Sequence, residues 1–455
     1  MTTALRAANV YKVFGRDAER ATRELEKGAS LDEISKSVTV AVNNVSFEVE
    51  EGEIFVVMGL SGSGKSTLLR TINALGPATG GKIWINDTEI TALSPSEIRE
   101  LRKEKMSMVF QHFGLLPHRT VLENAAYPLE IRKVGRKERE EKAREALRTT
   151  GLEGWEDKYP DQLSGGMQQR VGLARALTAG TEILLMDEAF SALDPLIRRD
   201  MQKLLLEIQE KHRRTVIFIT HDLNEAMYVG NRIAVMRNGQ IDQIGTAEEI
   251  LTSPANDYIA KFVSDVDRSR VMTASSVLVD PMTSLYKNDG PRVILRKLEE
   301  WDEDGGWVID AGTRKLVGLI HAEDVAKQLR DNPKLNTIEH LIKTDYTWAT
   351  PDTPLADLAT RLAGSPITVP VVDEDNTFLG IVPRIAYLRA LSEADPEEIP
   401  DEDDIEAGIT AAIGTDDEAD GSAETEPAQG DEGASELPMN GEPTTEANAE
   451  QGEDK

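Results

Sequence analysis

The stretch GLSGSGKST, Gly59–Thr67, sets the fold class of this chain. It fits the pattern GxxxxGK[ST] and lies between the apolar segment EIFVVMG (53–59) and the helical run TLLRTIN. In such a loop, backbone N–H groups and the helix N-terminus face phosphate oxygens. We expect Gly62 and Gly64 to permit close approach of the backbone, Lys65 to reach the β/γ-phosphates and Ser66 to bind Mg²⁺. The sequence therefore predicts a nucleotide-phosphate loop.

A pair of carboxylates supplies a second part of the same site. The runs EILLMDE (182–188) and TVIFIT (215–220) are short and apolar, as is typical of buried parallel strands. Asp187 ends the first run, where ligands gather in open α/β sheets, and it is the expected second oxygen ligand of Mg²⁺. Glu188 follows as a candidate general base. The alternative is that both residues are solvated carboxylates at a strand end, and the presence of a phosphate loop argues against it.

A second glycine-containing stretch, LSGGMQQRVGLARAL (Leu163–Leu177), has the features of another phosphate-binding segment. We call this stretch and the phosphate loop the two phosphate grips. Ser164, Gly165 and Gly166 precede a helical run, so they offer a hydroxyl, backbone N–H donors and a helix dipole. The chain has one such stretch and one phosphate loop. One chain therefore carries two separate segments suited to binding phosphate.

Composition excludes several classes of site. The 455-residue chain has no cysteine, which rules out disulfides, thiol catalysis and Cys-type metal centres. Six histidines without HExxH spacing give no case for a zinc enzyme. No apolar run approaches the roughly 20 residues of a membrane helix, and the N-terminus lacks the plan of a signal peptide. We expect a cytoplasmic protein that meets a membrane only through a partner.

The net charge of −30 is concentrated in a C-terminal tail. Residues 393–455 hold 23 acidic residues and one basic residue, with no Phe, Trp or Tyr. Such a segment cannot bury a core and is predicted to be disordered. It serves either as a solvating tail or as a regulatory tail that pairs with basic surfaces at low salt. In both cases its polyanionic character argues against nucleic acid as a partner.

The remaining chain divides into two folded parts. Residues 1 to about 270 alternate strand-like and helical runs, an α/β plan. Residues 271–392 contain an internal repeat, GWVIDAGTRKLVGLIHAEDVAKQL (306–329) and VPVVDEDNTFLGIVPRIAYLRAL (369–391). Each copy reads as strand, Asp-containing turn, strand and helix, which predicts two α+β halves packed together.

One segment interrupts the early strands. Residues 15–40 read as two short helices: Gly28 would end the first, and Ser30 with Glu33 would form the capping box of the second. We interpret this segment as a surface insertion.

In combination, these motifs resemble those of the ATP-binding-cassette ATPases, a P-loop NTPase family. The phosphate loop, LSGGMQQR, ILLMDE, SALD and a His after a strand occur in the family's order. The matching positions outside the phosphate loop are Gln111 in VFQ, Ser164–Gly166, Asp187–Glu188, Ser191–Asp194 and His221 in ITHD.

The resemblance implies why one chain has two grips. Family members pair head to tail, so that the LSGGM stretch of one chain closes over the γ-phosphate held by the other. A homodimer with two composite ATP sites follows, with Asp194 acting across the dimer. The implied nucleotide-binding set in this chain is Gly59, Leu60, Ser61, Gly62, Ser63, Gly64, Lys65, Ser66, Thr67, Ser164, Gly165, Gly166, Asp194 and Phe14.

Individual roles also carry over from the resemblance. Phe14 in VYKVFG matches the aromatic position that stacks on adenine, and Tyr11 is the alternative. Asp187 holds Mg²⁺ through water, Glu188 polarises the attacking water and His221 contacts the γ-phosphate. Gln111 senses Mg²⁺ and water and links the site to a membrane partner.

A narrower resemblance covers roughly residues 4–392. The insertion, MDEAFSALDPLIRRDMQ (186–202) and the C-terminal repeats look like the ATPase subunit of glycine betaine/proline importers, with tandem CBS motifs at about 271–332 and 338–392. The repeats depart from the usual nucleotide-binding CBS pattern, because His stands for Ser/Thr in the first and the final Asp is missing in the second. The positions concerned are Gly318, His321 and Asp324, and Gly380, Pro383 and Ala386.

The resemblance implies an import motor at the cytoplasmic face of the membrane, with two permease subunits, an extracytoplasmic solute-binding protein, ATP and Mg²⁺. Glycine betaine is the expected solute, with proline, proline betaine, choline, carnitine or an amino acid left open. A non-transport ABC ATPase is the alternative, although such proteins usually carry two cassettes, a coiled coil or zinc-binding insertions. A pure sensor of nucleotide or salt would not need Glu188 and His221.

Overall fold

The computed structural model describes residues 2–391, apart from residues 35, 265, 282, 283 and 366. The predicted disorder of residues 393–455 concerns residues outside this range. Within the described residues, no helix has both the length and the apolar character needed to cross a membrane.

The chain alternates strands and helices along most of its described length. In chain order the strands are β1 (Thr3–Phe14), β2 (Thr39–Glu50), β3 (Ile54–Met58), β4 (Gly80–Ile85), β5 (Thr88–Glu89), β6 (Met106–Val109), β7 (Ile183–Asp187), β8 (Thr215–Thr220), β9 (Arg232–Arg237), β10 (Gln240–Gly245), β11 (Leu285–Tyr286), β12 (Gly305–Ile309), β13 (Leu316–His321), β14 (Val369–Val372) and β15 (Phe378–Val382). The α-helices are α1 (Ala18–Glu26), α2 (Lys65–Ile72), α3 (Pro95–Lys105), α4 (Val121–Ile131), α5 (Arg136–Thr149), α6 (Gly165–Thr178), α7 (Pro195–His212), α8 (Leu223–Val229), α9 (Ala247–Thr252), α10 (Asp257–Val263), α11 (Arg268–Val271), α12 (Pro291–Glu300), α13 (Ala322–Asp331), α14 (Leu355–Gly364) and α15 (Arg384–Leu391).

A six-stranded sheet in the order β10-β9-β3-β8-β7-β6 positions the site. Its strands are parallel except for β10, which pairs antiparallel with β9. The three apolar runs predicted as buried strands form β3, β8 and β7, at the centre of this sheet. Because parallel strands end at one edge of a sheet, the residues that follow these three strands converge there.

The core lies on both faces of this sheet. Successive residues of a strand point to opposite faces, so the alternate residues of β3 enter two different clusters. Val56 and Met58 pack with the helices on one face. Phe55 and Val57 pack with α2 and with the antiparallel sheet β2-β1-β4-β5 on the other, where Phe55 stacks on Phe47 at 5.0 Å between ring centroids. Burial on both faces explains why β3, β7 and β8 read as continuous apolar runs.

The insertion between β1 and β2 begins as predicted. Helix α1 covers the outer face of β1, where Leu25 packs with Tyr11 and Val13. The helix ends at Glu26, and Gly28 follows with φ +95°. This left-handed residue ends the helix because glycine adopts the conformation without a steric penalty.

The second predicted helix of the insertion is a single 3₁₀ turn and not an α-helix. The structure has only a 3₁₀ turn, Leu31–Glu33, although the capping box is present and the Ser30 N–H donates to Glu33 Oε2 at 2.7 Å. The next residue, Ile34, is extended and buried against β1. The extended backbone of Ile34 thus ends the turn, and β2 begins at Thr39.

The internal repeat is confirmed as two copies of strand, turn, strand and helix. The copies are β12-β13-α13 and β14-β15-α15, each with an antiparallel strand pair. Trp307 and Leu319 of the first copy share one buried cluster with Phe378 and Ile381 of the second. The predicted packing of the two halves against each other is therefore confirmed.

Candidate functional site

The predicted phosphate loop connects β3 to α2 at the carboxyl edge of the sheet. Gly64 caps the helix with φ +102°, and a Cβ atom there would lie 2.1 Å from the carbonyl oxygen of Ala41. Both the conformation and the space therefore require glycine. The loop turns tightly enough for backbone N–H groups to face a bound phosphate.

Lys65 is the buried cation of this loop. Its side chain folds back, and Nζ donates to the carbonyl oxygens of Gly59 at 2.8 Å and Leu60 at 3.0 Å. Burial lowers the pKa of Lys65, and the nearby carboxylates of Glu188 and Asp187 act in the opposite direction. A phosphate entering the loop would replace the two carbonyls with charged acceptors, which an ammonium group prefers.

Ser66 and Asp187, the two expected Mg²⁺ ligands, contact each other. Ser66 is the second residue of α2 and Asp187 ends β7, and Ser66 Oγ donates to Asp187 Oδ1 at 2.9 Å. Hydroxyl and carboxylate oxygens are the ligand types that Mg²⁺ takes, usually together with water and substrate phosphates. The two side chains therefore fit a Mg²⁺ ion.

Gln111, Glu188 and His221 come together from three different loops. One carboxylate oxygen, Glu188 Oε2, lies 3.3 Å from Gln111 Nε2 and 3.1 Å from His221 Nδ1. Gln111 Nε2 also lies 3.3 Å from Ser191 Oγ, which donates to the main-chain oxygen of Glu188 at 2.9 Å. The carboxylate is mostly buried, whereas His221 is half exposed. The cluster has a base candidate and two polar groups that orient it.

The two aromatic candidates for adenine stacking differ in how exposed their side chains are. Phe14, at the end of β1, is 47% exposed, and Lys12 Nζ lies 5.1 Å from its ring centroid. Tyr11 is 5% exposed and belongs to the core beneath α1. Phe14 is thus available for stacking, and Tyr11 is not.

The LSGGM stretch lies at the exposed start of α6. Ser164 is the N-cap residue, and its Oγ accepts from Met167 N at 3.4 Å. A Cβ atom on Gly166 would lie 2.5 Å from Ile197 Cγ2. Asp194 accepts from Ile197 N at 3.1 Å and caps α7. The structure therefore brings Gly166 close to the first turn of the helix that Asp194 caps.

The two phosphate grips are not joined within one chain. In the part of the chain that the structure describes, no hydrogen bond or ion pair links Ser164–Gly166 to the phosphate loop, and Ser164 and Gly165 are exposed. One chain thus presents each grip separately.

Sequence reasoning missed two arginines that organise the site. Arg175 of α6 donates to the carbonyl oxygens of Phe113 and Gly114, in the loop after Gln111, and burial lowers the pKa of this arginine. Arg198 of α7 holds Asp222 and two main-chain oxygens. The partners of Arg175 lie more than 60 positions away along the chain, so no local pattern signals this contact.

Comparison with known proteins adds independent information. A family model described as ABC transporter matches residues 42–191, and one described as CBS domain matches residues 338–393. The chain is 48% identical over 391 residues to the glycine betaine/carnitine transport ATP-binding protein GbuA of Listeria monocytogenes, covering 85% of this chain and 97% of that protein.

Two further relatives show the same extent of similarity. The glycine betaine transport ATP-binding protein OpuAA of Bacillus subtilis is 48% identical over 390 residues, which are 85% of this chain and 92% of that protein. The glycine betaine/proline betaine transport ATP-binding protein ProV of Escherichia coli is 45% identical over 398 residues, which are 86% of this chain and 98% of that protein. The similarity therefore extends through both the cassette and the repeats.

Proposed function

Because the chain belongs to the family of ABC transporter ATP-binding proteins that serve glycine betaine transport systems, we propose that it hydrolyses ATP to drive the import of glycine betaine or a related quaternary amine. This proposal rests on one cluster of side chains. Glu188 contacts Gln111 and His221, and the Ser66–Asp187 pair lies beside them. A site of this composition has what hydrolysis needs: a phosphate cradle, oxygen ligands for a cation and a positioned base.

Each side chain has a distinct task in the proposed reaction. Lys65 and the loop N–H groups bind the β- and γ-phosphates. Ser66 and Asp187 would hold Mg²⁺, which when bound neutralises phosphate charge. Glu188 accepts a proton from the attacking water, while Gln111 and His221 keep its carboxylate in place.

The active form in this proposal is a homodimer. Ser164, Gly165 and Asp194 are exposed at neighbouring places on one chain, apart from that chain's own phosphate loop. A two-fold axis would bring this exposed surface of one chain against the phosphate loop of the other. ATP would then be held between two chains.

The partners proposed for the dimer are two membrane-spanning permease subunits, supplied from outside by a solute-binding protein. A groove of about 340 Å³ beside the Gln111 loop is lined by apolar side chains, including Phe110, Tyr127 and Ile131, and by four basic ones: Arg102, Lys103, Arg132 and Arg175. Phe110 and Ile131 are 40% and 46% exposed. We propose that a helix of the permease docks here, which places the chain at the cytoplasmic face of the membrane and couples that helix to Gln111.

The proposal assigns a regulatory role to the CBS repeats. A cleft of about 730 Å³ has α7 and α8 on one wall, and α11 with the start of α14 on the other. Its lining mixes cationic and anionic side chains, whose attraction weakens as salt rises. Ionic strength would thereby alter how the repeats pack against the ATPase loops.

Uptake by reconstituted vesicles tests the proposal. Vesicles would hold this chain with its permease subunits and binding protein, and internal salt would be varied. ATP-dependent accumulation of glycine betaine that changes with internal salt is expected, and Glu188→Gln should abolish it. ATPase activity with uptake of another solute only would replace glycine betaine by that solute. ATPase activity without a membrane partner would favour a non-transport ATPase.

A further inference from the structure

Arg198 ties together two loops that no local sequence pattern connects. It lies in the first turns of α7, and its Nη1 donates to Asp222 Oδ2 at 2.8 Å. Its Nη2 lies 3.2 Å from the carbonyl oxygen of Leu193 and 3.4 Å from that of Ser191. One guanidinium group thus bridges the loop after β7 and the loop after β8.

These two loops carry the two members of the proposed hydrolytic pair. Ser191 bonds back to the main-chain oxygen of Glu188 through both its N–H and its hydroxyl, at 3.2 and 2.9 Å. Asp222 directly follows His221, and it also caps α8 by accepting from Glu225 N at 3.2 Å. The distance between Glu188 and His221 therefore depends on how the two loops are held relative to each other.

A second contact from the same helix supports the same loop. Gln202, one turn beyond Arg198, donates from Nε2 to Glu225 Oε1 at 3.1 Å. Thr220 donates its hydroxyl to the other oxygen of Glu225 and accepts from Asp222 N at 3.0 Å. Helix α7 thus holds the His221 loop at two points, of which only Arg198 also reaches the Glu188 loop.

We propose that Arg198 is a positioning residue that sets the Glu188–His221 distance for ATP hydrolysis; this inference rests on the hydrolytic function proposed above. Arginine suits the task because its planar fork donates in fixed directions to a carboxylate and to carbonyl oxygens at once. Lysine is a single point charge that can keep the contact with Asp222 but cannot span both loops. Among the described residues, no hydrogen bond or ion pair joins Arg198 to the phosphate loop, so ATP binding should not depend on Arg198.

The test compares three variants of the full chain assembled with its membrane subunits: Arg198→Gln, Arg198→Lys and Lys211→Gln. Lys211 is the matched control, because it is an exposed residue of the same helix, lies outside the cleft described above, and its replacement removes the same charge. We expect Arg198→Gln to lower kcat for ATP hydrolysis about tenfold with KM changed less than about twofold. The kcat of Arg198→Lys should fall between those of Arg198→Gln and the parent, and Lys211→Gln should match the parent.

Two outcomes would overturn the inference. One is a kcat for Arg198→Gln equal to that of Lys211→Gln. The other is a loss of kcat in both Arg198 variants matched by an equal loss of ATP affinity and by a lower melting temperature, which would indicate a merely structural role. A parent chain without ATPase activity would instead refute the proposed function itself, so the two failures are distinguishable.

Discussion

Glu188 shows what a single residue contributes beyond its chemical type. Its backbone is in the left-handed region at φ +45°, and its N–H donates to the carbonyl oxygen of Ile219 at 3.0 Å. Non-glycine residues adopt this region uncommonly, and such positions cluster at functional sites. The turn it makes after β7 aims the carboxylate at Gln111 and His221. The sequence predicted the carboxylate, but the conformation depends on a neighbouring strand and could not be predicted.

At this scale we predict that Glu188→Gln lowers ATP turnover by at least about 100-fold, because general-base catalysis contributes at least that much. ATP binding should persist, so an ATP-bound dimer should accumulate. Hydrolysis assays and size-exclusion chromatography with ATP measure the two effects. Glu182→Gln is the control, since Glu182 is an exposed carboxylate paired with Lys105 near the start of the same strand. Normal turnover in Glu188→Gln would refute the role of Glu188 as base.

At the scale of elements, sequence patterns predicted the elements whose own residues carry a local signal. The phosphate loop, the three buried strands and the repeated strand–turn–strand–helix units each carry a local signal of glycine spacing or apolar periodicity. The second insertion helix is only a 3₁₀ turn, because a capping box sets where a helix starts, while the extended and buried Ile34 sets how far it runs. Contacts between elements, such as Arg198 with Asp222, have no such local signal.

Asn124 illustrates how one element shapes a neighbouring loop. This residue of α4 is fully buried. Its Oδ1 accepts from Leu116 N at 2.8 Å, and its Nδ2 lies within 3.1 Å of the carbonyl oxygens of Leu116, Arg119 and Thr120. The side chain therefore satisfies the backbone of the loop that leads from the Gln111 segment into α4.

We predict that Asn124→Ala lowers the free energy of unfolding by about 2 kcal/mol or more, because it leaves several buried backbone groups without partners. A lower melting temperature of the purified chain measures this effect. Asn224→Ala is the control: Asn224 is an exposed residue of α8, and its removal should change stability by less than about 0.5 kcal/mol. Equal melting temperatures for the two variants would contradict the assigned role of Asn124.

At the scale of the whole molecule, the separation of the two phosphate grips is the main feature. Gln111 and His221 contact Glu188, whereas Ser164 and Gly165 lie exposed elsewhere and make no contact with this cluster among the described residues. Composition and motifs predicted both grips, yet only the resemblance to a dimeric family implied how they meet. A surface that is completed by a second copy leaves no trace in the residue pattern of one copy.

We therefore predict that Ser164→Arg abolishes ATP hydrolysis while leaving the ATP affinity of the isolated chain within about twofold of the parent. The added side chain would block the partner's γ-phosphate without touching the chain's own loop. Nucleotide titration of the monomer and turnover assays of the dimer separate the two effects. Ser96→Arg, an exposed serine of α3, is the control and should retain both activities. Loss of ATP binding by the Ser164→Arg monomer would contradict the head-to-tail arrangement.

The separated grips have a consequence in genetic terms. A chain with Lys65→Ala keeps a sound LSGGM stretch, and a chain with Ser164→Arg keeps a sound phosphate loop. In the proposed head-to-tail dimer, each allele alone would give homodimers without a complete site. A cell that expresses both alleles would make mixed dimers in which the intact phosphate loop of one chain faces the intact LSGGM stretch of the other, while the two damaged segments face each other. Two null alleles would thus complement each other through one working site per dimer, whereas two alleles damaged in the same grip would not.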